Sequence, residues 1–308
     1  DKMSVNLKKI STESRNKNTM DIDRVSTLEI LEKINNEDKT IAYAVEKALP
    51  AIATVVDKVY ETFLNGGRLI YMGAGTSGRI GILDAVECPP TYGVDYDMVQ
   101  CLMAGGSNAF VKAVEGAEDS KEMAVSDLKR INLSEKDIVI GIAASGRTPY
   151  VLGGIEYANK NNVNTCCITT SASSPLEQAV KYPIVVLTGA EPITGSTRMK
   201  SGTAQKMVCN MISTSAMIKM GKVYENLMID LKATNEKLIE RSLGIISTVT
   251  GFTRDEALEQ LKRYGTIKRI IFSYLTNISD IKKIDEYLEK YHGNIRDAVK
   301  LVEAKNEN

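Results

Sequence analysis

Two glycine-framed turns carry hydroxyls at matching places, Gly73-Ala-Gly-Thr-Ser-Gly-Arg79 and Ala143-Ala-Ser-Gly-Arg-Thr148. Each follows a short apolar run with β-branched character, Arg68-Leu-Ile-Tyr-Met72 in one case and Asp137-Ile-Val-Ile-Gly-Ile142 in the other. Each leads into a helical pattern, so strand, turn and helix occur twice, with Ser77-Gly78-Arg79 and Ser145-Gly146-Arg147 in register. A helix N-terminus offers unpaired N–H groups and the positive end of its dipole, and serine or threonine adds further donors. Such a turn binds an anion, most simply a phosphate. Gly75, Thr76 and Ser77 in the first turn, and Ser145, Gly146, Arg147 and Thr148 in the second, are therefore candidate binding residues. Two such turns in one parallel sheet predict a phosphorylated small molecule held near the strand ends.

The spacing Gly73-x-Gly75-x-x-Gly78 also matches the dinucleotide fingerprint, but the rest of that site is missing. A dinucleotide site needs an acidic residue closing the second strand to hold the ribose hydroxyls. Here that strand ends in Ala104-Gly105-Gly106, and Asp95 and Asp97 lie before it. Thr76 and Ser77 at the variable positions suit a compact phosphate monoester better than a pyrophosphate. A P-loop is excluded because Arg79 and Ile80 follow Gly78 where lysine and a hydroxyl residue are required.

Proton transfer has few candidates. The lone histidine, His292, stands beside Gly293 in a helical region and reads as a cap or interface residue. With no histidine to pair with cysteine or serine, carboxylates lead. Glu87 precedes Pro89-Pro90, which are expected to end the helix and leave Glu87 near its last turn. A carboxylate is electrostatically disfavoured there, although a solvated surface glutamate is the plainer reading. Glu115-Gly-Ala-Glu118-Asp119 is a second acidic cluster, whose plain reading is a solvated helix start. The segment Glu191–Gly202 is rich in hydroxyls and cations, Lys200 among them, just before a helix. It fits either a capped loop or one ordering an anionic substrate.

The elements that must position these groups follow from periodicity. Ser26-x-x-Glu29 is a capping box opening a helix, and a longer helical pattern runs from Ile41 to Phe63, with Pro50 as a possible kink and Gly66-Gly67 as its stop. Strand-like runs at residues 69–72, 98–104, 138–142, 165–169 and 184–187 alternate with helices. That alternation predicts an α/β fold, a parallel sheet sandwiched between helices. Beyond about residue 225 the pattern becomes helical, with starts at Thr253, Ser279 or Asp280, and Asn294, and stops at Gly265 and Gly293. The expected division is an N-terminal segment with helices (1–56), a sugar-phosphate-type domain (57–222) and a small C-terminal helical bundle (223–308).

Composition narrows the partners. Lys+Arg and Asp+Glu both number 39, so no basic field argues for nucleic acid or an anionic membrane. Hydrophobic content of 43% with 25% charged residues is that of a soluble globular chain, and no apolar run reaches the roughly 18 residues of a membrane span. No charged-then-apolar leader is expected. Five cysteines without C-x-x-C spacing or histidine partners argue against zinc and disulfides and for a reducing cytoplasm; Cys166-Cys167 reads as core.

Taken together, these motifs resemble the N-acetylmuramic acid 6-phosphate etherase family. The resemblance rests on Gly73–Thr91 with its Glu87-Cys-Pro-Pro90, on Ala104-Gly-Gly106, on Val114-Glu-Gly-Ala-Glu-Asp-Ser120, on Gly141–Tyr150 and on Thr194–Gly202. Thr12-Glu13 and Asp21-Ile-Asp23 extend it to the N-terminal part, so it covers nearly the whole chain. The glucokinase regulatory proteins share the Gly-Thr-Ser-Gly element without Glu-Cys-Pro-Pro, which favours an enzyme over a sensor here. The resemblance implies the sugar isomerase (SIS) fold and a homodimer. It also implies cleavage of the D-lactyl ether of N-acetylmuramic acid 6-phosphate to N-acetylglucosamine 6-phosphate and D-lactate, with no cofactor or metal. It places the two catalytic carboxylates on Glu87, the acid, and Glu118, the base, with Glu115 the rival for the second role. Arg147 and Lys200 both remain candidates to meet the lactyl carboxylate. An aldose–ketose isomerase and a non-catalytic sugar-phosphate sensor on the same fold are the competing classes.

Overall fold

The computed structural model describes residues 6–307, which divide into two compact units. One comprises the residues up to Val86 together with Asp97–Ser213; the other comprises Glu87–Tyr96 and the residues from Thr214 onward.

The first unit opens with three short 3-10 turns, Leu7–Lys9, Ser11–Glu13 and Lys17–Thr19. Its helices are α1 (Thr27–Asp38), α2 (Ile41–Leu64), α3 (Gly75–Tyr92), α4 (Asn108–Val111), α5 (Lys121–Arg130), α6 (Pro149–Lys160), α7 (Pro175–Ala179) and α8 (Lys200–Lys219), the ends of α3 and α8 being counted with the second unit. Its strands are β1 (Leu69–Gly73), β2 (Val99–Met103), β3 (Ile138–Ile142), β4 (Asn164–Thr169) and β5 (Tyr182–Val185), all parallel, in the order β2-β1-β3-β4-β5. β1 and β3 are buried along their whole length, which is why both read as unbroken apolar runs rather than alternating ones. Ile70, Met72 and Val139 share a core with Leu128 of α5 and Val151 and Ile155 of α6. From the other face Tyr71 donates its hydroxyl to Asp84 of α3, 2.8 Å away. The sheet is thus covered on both sides.

Three expectations change in detail. α3 does not stop at Pro89-Pro90 but runs on to Tyr92, and Gly93 N–H closes a helical bond to the Pro89 carbonyl at 2.9 Å. Proline removes its own N–H but keeps a helical φ and an accepting carbonyl, so two prolines weaken one turn without ending the helix. Pro50 likewise lies inside an unbroken α2. β5 begins two residues earlier than its apolar run suggested, taking in Tyr182 and Pro183, because at the sheet edge a proline leaves no ladder bond unmade on its open side. Within residues 6–25, Ile10, Thr12, Asn16 and Thr19 are buried, and Thr19 donates its hydroxyl to the Pro192 carbonyl at 2.7 Å.

The second unit carries a hairpin of β6 (Val223–Tyr224) and β7 (Leu227–Met228), too short to show in the sequence pattern. Five helices follow: α9 (Glu236–Thr250), α10 (Arg254–Tyr264), α11 (Ile267–Thr276), α12 (Ile281–Lys290) and α13 (Ile295–Asn306). Thr253, Asp280 and Asn294 cap α10, α12 and α13, and Gly265 ends α10 at φ +79°. The chain leaves α12 at Tyr291, with Gly293 two residues later donating back to the Leu288 carbonyl. Ile246, Ile271, Phe272, Ile284 and Ala298 form this unit's core. No helix among the described residues is long and apolar enough to cross a membrane.

Candidate active site

Sheet topology brings the two glycine turns, the candidate anion sites, to neighbouring strand ends. From β1 the chain crosses to β2 on one side, and from β3 to β4 on the other, so β1 and β3 flank the point where the winding reverses. Crevices at such reversals, outside the carboxyl ends of the strands, are where open α/β sheets bind ligands. Gly73 pairs with Ile142, so the turn after β1 and the turn after β3 leave the sheet side by side.

In the first turn α3 starts so soon after β1 that a Cβ on Gly73 would stand 2.6 Å from Gly78 N. Only glycine lets the helix fold back this tightly, and Thr76 and Ser77 fall in its first turn. Ser77 is 9% exposed, and its hydroxyl donates to Gln205 Oε1 across 3.1 Å. In the second turn Gly146 has φ +69° and sits against Ser174, again leaving no room for a side chain. Thr148 is the N-cap of α6 with Pro149 at N1, and its hydroxyl makes no capping bond. Thr170 braces this turn, donating its hydroxyl to the Ala144 carbonyl at 3.0 Å, with the Ser201 hydroxyl oxygen 2.9 Å away. Arg147 is exposed.

A cavity of about 290 Å³ adjoins the first turn, lined by Ala74, Gly75, Arg79, Met103, Glu115 and Glu118 among others. Both glutamates are exposed. Gly116, in the left-handed conformation at φ +74°, turns the chain into a single 3-10 turn, Ala117–Asp119, which carries Glu118 before Ser120 caps α5. Glu118 therefore precedes the helix start rather than lying within it. Glu87 is an exposed residue of α3, in the segment that belongs to the second unit.

Lys200 is placed differently from an open cation. It is 4% exposed, its Nζ lies 3.4 Å from Glu37 Oε2, and it donates to the Ala190 carbonyl at 3.2 Å. Asn16 donates to the other oxygen of Glu37. The N-terminus of α8 is closed as well, since the buried Glu191 carboxylate accepts from Lys200 N at 2.8 Å and Ser201 N at 2.9 Å. The loop of residues 190–200 is thus held by Asn16, Thr19 and Glu37 of the N-terminal segment, a role that nothing in its composition indicated.

A glucokinase regulatory protein N-terminal SIS domain model matches residues 51–159, and an SIS domain model matches residues 112–215. An N-acetylmuramic acid 6-phosphate etherase of Clostridium botulinum (strain Okra / Type B1) is 56% identical over 300 residues, covering 97% of this chain and 99% of that protein. The chain belongs to the N-acetylmuramic acid 6-phosphate etherase family. A Clostridium beijerinckii etherase is 52% identical over 98% of this chain and 99% of its own length. Among solved structures, a phosphoheptose isomerase from Francisella tularensis aligns with a TM-score of 0.44 at 18% identity, over 60% of this chain and 98% of its own.

Two residues at this candidate site went unassigned in the sequence. Arg79 stood in the first motif without a role. Gln205 left a fainter signal: Ser201, Gln205, Val208 and Ile212 fall on one helical stripe, and all four are buried, so the amide is a polar member of an apolar face.

Proposed function

We propose that this chain cleaves the D-lactyl ether of N-acetylmuramic acid 6-phosphate to N-acetylglucosamine 6-phosphate and D-lactate, as a carbon–oxygen lyase that then hydrates its intermediate. The observation that carries the reading is the shared cavity, which has Gly75 of the first anion turn and Glu118 in one lining. Membership of the etherase family supplies the substrate.

An ether oxygen leaves poorly, and direct displacement at C3 would need strong activation. Elimination is easier. In the open-chain sugar C1 is an aldehyde, which acidifies the C2 proton. Glu118 removes that proton, the C2 electron pair forms the C2–C3 double bond, and the C3–O bond breaks as Glu87 protonates the departing lactate oxygen. Water then adds at C3 of the unsaturated aldehyde and C2 is reprotonated. Placed acid and base groups contribute about 10²–10⁴-fold each. The N–H groups and hydroxyls of Thr76, Ser77, Ser145 and Thr148, with Gly75 and Gly146 shaping the turns, hold the 6-phosphate. Of the two cations considered for the lactyl carboxylate, Arg147 is exposed beside the second turn while Lys200 is paired with Glu37, which favours Arg147.

The same reading takes the enzyme as a cytoplasmic homodimer. Five free cysteines fit a reducing compartment, and the exposed apolar side chains of Leu28, Leu31 and Tyr43 are available to a second copy.

D-lactate release from N-acetylmuramic acid 6-phosphate by the purified protein tests the proposal. An isomerase would convert sugar phosphate without lactate, and a sensor would bind without turnover; either result would overturn it.

A further inference from the structure

Gln205 lies on α8, 1% exposed, with its Oε1 accepting the Ser77 hydroxyl and its Nε2 buried without a hydrogen-bond partner. One turn earlier, α8 passes the anion turn closely, since a Cβ on Gly202 would stand 3.5 Å from Thr76 Cγ2. A buried amide with two donors and no acceptor is costly, and such orphans call for a physical reason. The hydroxyl supplies one. With Gln205 Oε1 as acceptor, the Ser77 proton points into the protein, and an anion arriving at α3 meets only the oxygen's lone pairs. A half-turn of the amide about its last bond reverses this. Nε2 then donates to Ser77 Oγ, and the Ser77 proton is free to donate to the anion. A charge-assisted bond forms in place of a neutral one, so the anion itself favours the turned state.

We infer that Gln205 is a positioning residue whose amide governs the Ser77 proton, holding it while the turn is empty and releasing it to the 6-phosphate on binding. The inference rests on the phosphate-site reading under Proposed function and adds a residue to it.

The test is a double-mutant cycle on the full chain, with calorimetric affinities for N-acetylglucosamine 6-phosphate and for N-acetylglucosamine. Gln205→Met carries no donor and only a weak sulfur acceptor. It should weaken the phosphosugar about threefold, leave the unphosphorylated sugar unchanged, and cost nothing further once Ser77→Ala is present. Gln205→Glu, an acceptor only, should weaken the phosphosugar by about tenfold or more while its carboxylate is charged. Part of that loss should return as pH falls and the protonated acid again donates as well as accepts. The Glu variant carries the test if the Met variant does not fold. A purely structural amide would lower affinity for both sugars, and equally with or without the Ser77 hydroxyl; that result overturns the inference, as does wild-type affinity in Gln205→Glu. Equal wild-type affinity for the two sugars would instead remove the phosphate site itself, and this proposal with it.

Discussion

Arg79 Nε donates to the Phe110 carbonyl over 2.9 Å, and Arg79 Nη2 donates to the neighbouring Ala109 carbonyl at 3.2 Å. A single-turn helix such as α4 leaves its last carbonyls without internal partners, and the guanidinium fork satisfies two of them. Arg79 belongs to the helix of the first anion turn, and the segment it fastens leads on to Glu118 in the wall of the same cavity. Arg79→Met should therefore lower turnover by about 10–100-fold, as small misplacements of a catalytic group do, with phosphosugar affinity nearly kept. Arg79→Lys, able to meet one carbonyl, should fall between. Steady-state kinetics for lactate release separates the kcat loss from KM, and unchanged kcat in Arg79→Met would refute the role.

The two carboxylates make separable predictions. Glu87→Ala should abolish lactate release while leaving phosphosugar binding intact. Turnover in D₂O should place deuterium at C2 of the product, and turnover in H₂¹⁸O should label C3 of the sugar and spare the lactate. Glu118→Gln should lose C2 exchange, whereas Glu87→Ala should retain it without releasing lactate. Because Glu115 lines the same cavity, exchange that survives Glu118→Gln and vanishes in Glu115→Gln would move the base to Glu115.

Lys200 and Glu37 are 4% and 6% exposed and face each other in the first unit. Removing one partner of a buried ion pair strands the other charge. Lys200→Met or Glu37→Leu alone should cost about 3–5 kcal/mol in denaturant unfolding, and the double variant much less than the sum. Strict additivity would show that the two charges do not depend on each other.

Arg68 and Asp137 tie the start of β1 to the start of β3, with Arg68 Nη2 2.8 Å from Asp137 Oδ2. Burial pushes the Asp137 carboxyl up, but the Arg68 guanidinium and the N–H groups of Ser134 and Arg68 together outweigh it and hold the carboxyl below its ordinary value. The unfolded chain then takes up the proton more readily than the folded one. The pair's contribution is fully present above about pH 4 and is lost as pH falls through the lower folded value. Unfolding free energy measured from pH 6 to pH 3 should show this decline, and Asp137→Asn should flatten it.

Much of the fold was legible because its signals are local. Ser26, Thr253, Asp280 and Asn294 cap helices through bonds spanning two or three residues, and β1 and β3 are apolar throughout because each is buried on both faces. The two strand–turn–helix units were legible for the same reason, since a strand, a tight glycine and a helix start are consecutive in the chain. Pro89-Pro90 misled because a proline's cost is local, whereas the survival of its helix depends on the carbonyls and packing around it.

By itself the sequence determined the element types, the parallel α/β plan, the hydroxyl-bearing turns and, through whole-length resemblance, the family. Tertiary structure alone decided that Gly73 and Ile142 are neighbours, so that turns about 70 residues apart leave the sheet side by side. It decided too that Lys200 pairs with Glu37 rather than standing open, that Arg79 fastens Phe110, and that the Gln205 amide lies under Ser77. Each of these is a side-chain or strand pairing across a long stretch of chain. Periodicity reports which face of an element is buried, and it cannot report which partner waits there.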